Sequence, residues 1–73
     1  MKPDSLLQQE AIEFIRIAIY KGDPKFARSL AGTITNICDS GQANREEIWA
    51  ELSLWERERF RVLVAGERLE VRS

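Results

Sequence analysis

Few side chains in this chain could do chemistry. Cys38 is its one thiol, and there is no histidine. Two pairs of carboxylates, Glu10 with Glu13 and Glu47 with Glu51, have helical spacing. Intervals of three and four residues put each pair on one face of a helix, where carboxylates can share a proton or a cation. Nothing close in sequence would desolvate either pair or complete a ligand set, so both are expected to be solvated faces. A reactive thiol needs a neighbouring cation or a helix N-terminus to favour the thiolate. Cys38 precedes Asp39 near a predicted helix C-terminus, where both charges oppose it. It is expected to pack as a small apolar side chain.

The missing residue types exclude more. Without histidine neither a Ser-His-Asp nor a Cys-His arrangement can be assembled. Structural zinc sites draw about four ligands from Cys and His, and this chain cannot supply them. One cysteine forms no intramolecular disulfide, which fits a reducing cytoplasm. Gly22, Gly32, Gly41 and Gly66 lie one per segment, so no glycine-rich phosphate cradle exists. The run Asp39-Ser40-Gly41-Gln42-Ala43-Asn44 looks like a calcium loop but fails at its third and fifth positions, Gly41 and Ala43. It also lacks the bidentate Glu at the twelfth, which is Ala50. No catalytic residue, metal ligand, cofactor or small-molecule substrate is predicted, and an enzyme is not expected.

The chain has 73 residues, of which 44% are hydrophobic and 32% charged, with a net charge of -1. That describes one folded domain, read as residues 1–66 with a tail over 67–73. No apolar run could span a bilayer, since Arg16 and Lys21 bracket the most apolar stretch. The first residues lack the layout of a secretory signal. A core of this size seldom supplies more than about 3–5 kcal/mol without disulfides, metal or oligomerisation. The first two are excluded, which draws attention to the third.

Turn chemistry divides the chain. Lys21-Gly22-Asp23-Pro24 stops one helix and starts another: Gly at the C-terminal cap, Asp as N-cap, Pro at the first helical position. Asn44-Arg45-Glu46-Glu47 and Ser53-Leu54-Trp55-Glu56 both read as capping boxes, and Gly66 is read as the last stop. The result is an all-α domain with helices near 4–21, 24–38, 45–52 and 54–65. In the first, Leu7, Ala11, Phe14, Ile15 and Ala18 form an apolar stripe with Ile12 and Ile19 at its edge, opposite Gln9, Glu10, Glu13, Arg16 and Lys21. The second presents Phe26, Ala27, Leu30, Ile34, Ile37 and Cys38. The third presents Ile48, Trp49 and Leu52, and the fourth Phe60, Leu63 and Val64.

Several apolar residues fall outside these stripes. Trp55 and Val62 are seven apart and aligned, roughly 140° from the Phe60 face. Ile17 lies on the charged side of the first helix, with Tyr20 close by and Leu6 three turns earlier. Helices apolar on two sides are central in a fold or share one side with another chain. Trp55 with Arg59, and Tyr20 with Arg16, also match the composition of interface hot spots. A protein interface built from Trp55, Val62, Arg59, Ile17 and Tyr20 is predicted, joining the chain to a second copy as a homodimer or to another protein. Leu69 and Val71 alternate with charges in the tail, a pattern that frays or orders on a partner.

Eight of the eleven cations are arginine, and six of those arginines fall in the last 29 residues. Seven glutamates are interleaved with them, so no cationic surface for nucleic acid is expected. Glu56 with Arg59 and Glu58 with Arg61 are read as local helix pairs. The segment from Leu52 to Gly66 (Leu-Ser-Leu-Trp-Glu-Arg-Glu-Arg-Phe-Arg-Val-Leu-Val-Ala-Gly) resembles the opening helix of LuxR-type helix-turn-helix domains. That resemblance implies a turn, a scaffold helix and a recognition helix after it. Seven residues follow Gly66, too few for both, and no DNA-contacting residue is carried over. A different helix-turn-helix DNA-binding regulator, using the third and fourth helices with Ser53 in the turn, is the alternative reading. Its exposed face would be Trp55, Glu58, Arg59 and Val62, with Arg59 the one base reader.

Overall fold

A computed structural model of the protein describes the backbone of residues 5–72 and the side chains of residues 5–65. The order is α1 (Ser5–Lys21), α2 (Pro24–Asp39), α3 (Arg45–Glu51) and α4 (Leu54–Arg72). α4 packs on both α2 and α1, while the short α3 sits against α1 and α2. Among the described residues no helix is long and apolar enough to cross a membrane.

Each boundary has a local cause. Gly22 takes φ +67 and ends α1, its N–H donating to the Ala18 carbonyl at 2.9 Å. Asp23 then caps α2 by accepting from the N–H groups of Lys25 and Phe26, with Pro24 at the first helical position. Gly41, at φ +83, turns the chain after α2, and the N–H groups of Gln42 and Ala43 both donate to the Ile37 carbonyl. Ser53 and Glu56 form the full reciprocal box at the start of α4. The Ser53 N–H donates to Glu56 Oε1 at 2.8 Å, and the Glu56 N–H donates to Ser53 Oγ at 3.1 Å.

The core joins all four helices: Ile15, Ala18, Ala27, Leu30, Ile34, Ile48, Leu52, Phe60 and Leu63 are buried. Ile15, Ile48 and Leu52 are its largest fully enclosed side chains. Trp49 lies half-buried at the edge, its ring centroid 6.0 Å from that of Phe60. Cys38 is half-buried and packs on the same cluster.

Four expectations are corrected. Phe14 is 47% exposed, while Ile12 is buried. Consecutive helical residues point 100° apart, so Phe14 and Ile15 cannot both centre the stripe, and α1 is turned so that Gln8 and Ile12 flank Ile15. Gly66 does not end α4, which continues to Arg72. An isolated helical glycine costs about 1 kcal/mol relative to alanine, and the Glu, Arg and Leu residues after it are good helix formers. Of the tail reading, Ser73 and the side chains of Leu69 and Val71 lie outside the described residues. The turn that the LuxR resemblance would place after Gly66 is likewise replaced by helix. Finally, Glu56 pairs with Arg16 across the fold rather than with Arg59.

Candidate functional site

The start of α4 is pinned to α1. Arg16 Nε donates to Glu56 Oε2 at 2.8 Å, and Arg16 Nη2 donates to the Glu51 carbonyl at 3.2 Å. One guanidinium thus holds the last turn of α3 and the first turn of α4 together. The Glu56 carboxylate also accepts the Ser53 N–H. Bonds from Arg16 and then Ser53 hold its pKa below the ordinary carboxylate range, and the bond to Glu56 in turn raises that of Arg16. The reading of Glu56 and Arg59 as a helix pair missed this, because the competing cation lies 40 residues away in sequence.

Around this pin lies an open groove of about 520 Å³, lined by Arg16, Ile19, Tyr20, Trp55, Glu56 and Arg59. Tyr20 is 93% exposed and Trp55 65%. Arg59 makes no ion pair among the described residues. Three of the five predicted interface residues (Trp55, Arg59 and Tyr20) are therefore brought together, with Ile19 as a floor that the sequence had placed at the core edge.

Ile17 belongs to a second surface. With Leu6, Gln9, Glu10, Glu13 and Phe14 it lines an open depression of about 520 Å³ on α1 alone. Phe14 joins this surface because it is excluded from the core, and its position three residues before Ile17 was the available signal. Val62 is exposed two turns further along the Trp55 face of α4 and lines neither surface. Beyond the α3–α4 corner, Trp49, Leu54, Arg57, Glu58 and Arg61 line a smaller depression of about 420 Å³. There Glu58 and Arg61 pair at 3.1 Å, as their spacing suggested.

The carboxylates read for chemistry stand apart. Glu10 and Glu13 are exposed on α1, whereas Glu47 is tied to Gln8. Among the described residues no three His, Cys, Asp or Glu side chains are grouped so as to hold a metal ion. Nor does any described buried side-chain nitrogen or oxygen lack a hydrogen-bond partner. The exposed α4 face of Trp55, Glu58, Arg59 and Val62 carries an acid beside its one free arginine. What these surfaces offer is apolar contact with charged edges. No family model, curated protein or solved structure matches the chain, so no activity comes to it by inheritance.

Proposed function

We propose that this domain is a non-catalytic protein-interaction module that pairs with a second copy of itself. The observation that carries the reading is the set of large apolar side chains the core leaves outside. Leu6, Phe14, Ile17 and Tyr20 are exposed on α1, and Leu54, Trp55 and Val62 on α4. Scattered exposed apolar residues are ordinary on a protein surface. Here Leu6, Phe14 and Ile17 line one surface of α1, while Tyr20 and Trp55 line the neighbouring groove edged by Arg16 and Arg59. Aromatic and arginine side chains with an apolar centre are the composition of protein interfaces rather than of solvated faces. A chain this short also gains stability from a second copy when it has no disulfide.

Light scattering over a concentration series tests the reading. The mass-average molecular weight should rise from one chain toward two between low and high micromolar protein. A single chain's mass at every concentration would refute it.

A further inference from the structure

α1 carries its charges in order. Glu10 and Glu13 occupy the N-terminal half of its exposed surface and Arg16 and Lys21 the C-terminal half, with exposed Phe14 and Ile17 between Glu13 and Lys21. By helical geometry Glu10, Ile17 and Lys21 fall within about 40° of one another, with Phe14 at the edge of the same stripe. Neither Glu10 nor Glu13 forms an ion pair among the described residues. Such a face is complementary to itself when reversed.

We infer that two copies pair through an antiparallel α1–α1 seam about a two-fold axis, with Phe14 packed on Ile17 of the partner subunit and Glu10 opposite Lys21 of the partner subunit. The inference rests on the self-association proposed above and names its contact. An isologous contact makes every interaction twice, so two apolar pairs sit at the centre and two ion pairs at the ends. A parallel arrangement would set Glu10 and Glu13 against their own copies, which charge repulsion disfavours. Sliding the antiparallel seam by one turn would set Glu10 against an isoleucine and Glu13 against a phenylalanine, desolvating carboxylates with no partner. The chosen register brings the partner's acidic half-helix beside Lys21 and toward the Arg16–Arg59 groove. Tyr20 and Trp55 then flank the seam. One helix-on-helix contact falls at the small end of protein interfaces, below about 1,200 Å², so the dimer is a reversible one.

A charge swap decides the matter. Glu10→Lys, Lys21→Glu and the double variant are compared with the unaltered chain by light scattering at low salt, with circular dichroism confirming helix content. Both positions are exposed, so all three should keep the fold. Each single reversal acts at two symmetric contacts and should raise the dissociation constant about tenfold. The double variant should return to within about threefold of the unaltered chain, since it restores opposite charges across the seam. Phe14→Ser, also on the surface, should weaken association without loss of helix. If the chain self-associates but the double swap does not recover what each single reversal loses, the seam is wrong while self-association stands. If the unaltered chain stays monomeric throughout, both fall.

Discussion

Gln8 Nε2 donates to Glu47 Oε1 at 3.0 Å, joining α1 to the first turn of α3 across 39 residues of sequence. The same side chain accepts the Asn44 N–H through Oε1 at 2.6 Å. Asn44 Oδ1 meanwhile caps α3 by accepting the Glu47 N–H at 3.0 Å. In a local capping box Glu47 would itself reach back to the Asn44 N–H. Here the Gln8 amide stands between them, supplying an acceptor to one and a donor to the other. Gln8 is buried, 9% exposed, among residues that are otherwise apolar.

Gln8→Ala should therefore cost about 1–3 kcal/mol, the range for stranding buried polar groups, read as a lower urea midpoint. Gln8→Glu is the sharper variant. It keeps an acceptor for Asn44 but sets a second carboxylate against Glu47. Its deficit relative to the unaltered chain should be large at pH 7 and shrink as acid protonates the introduced carboxyl. A deficit independent of pH would refute the bridging role.

Acid should loosen the α3–α4 corner. Glu56 has a folded pKa below its unfolded value of about 4.3, because Arg16 and Ser53 hydrogen-bond its charged form. Between the two values the unfolded chain binds more protons, so stability rises with pH through that window. The contribution is full above the ordinary carboxylate value and is lost as pH falls through the lower folded value. Thermal melts should show Tm falling below about pH 4 in the unaltered chain, less steeply in Glu56→Gln. Added salt should shrink the difference, since Arg16 is exposed.

Local signals told of local structure. Asp23 with Pro24, and Ser53 with Glu56, specify their caps within four residues, and both caps form as read. Ala27, Leu30 and Ile34 are buried at the spacing that predicted them. What escaped depended on partners far along the chain. Gln8 is polar, yet it sits four residues before Ile12 and seven before Ile15, on the buried side, because α3 brings groups for its amide to bond. Ala43 is buried in a turn that composition alone marks as solvent-exposed. The exposed apolar residues Ile17, Tyr20, Trp55 and Val62 were legible as misfits to the core stripes. Their division between two surfaces was not, because it follows from how α1 and α4 lie against each other.

Two glycines should respond in opposite directions. Gly22 holds φ +67, a conformation that side chains with a Cβ rarely adopt, so Gly22→Ala should destabilise by about 1 kcal/mol although the space is open. Gly32 lies within α2 in helical conformation, and a Cβ there would meet nothing within 4 Å. Gly32→Ala should stabilise by about 0.5–1 kcal/mol. Denaturant midpoints of the two variants give both signs at once.

Binding to duplex DNA should be absent even at about 50 mM salt, where phosphate contacts are strongest. Arg61 is paired with Glu58 and Arg16 with Glu56, and Glu56 and Glu58 beside Arg57 and Arg59 break up the cationic character of the start of α4. A gel shift at that salt, fading by about 200 mM, would restore the helix-turn-helix alternative.

The two tryptophans separate folding from association. Trp49 packs on the core with its ring 6.0 Å from Phe60, so Trp49→Ala should cost about 2–4 kcal/mol. Against the few kcal/mol available to so small a domain, that is enough to unfold a large fraction of the chain. Trp55 is mostly exposed and supports none of the core, so Trp55→Ala should change monomer stability by no more than about 0.5 kcal/mol. Its loss removes the largest apolar surface beside Tyr20, and should raise the dissociation constant of the pair severalfold. Light scattering and urea titration on both variants must therefore move in opposite patterns. If Trp55→Ala lowers the urea midpoint of the dilute chain as far as Trp49→Ala does, Trp55 is a folding residue and the interface loses its aromatic anchor.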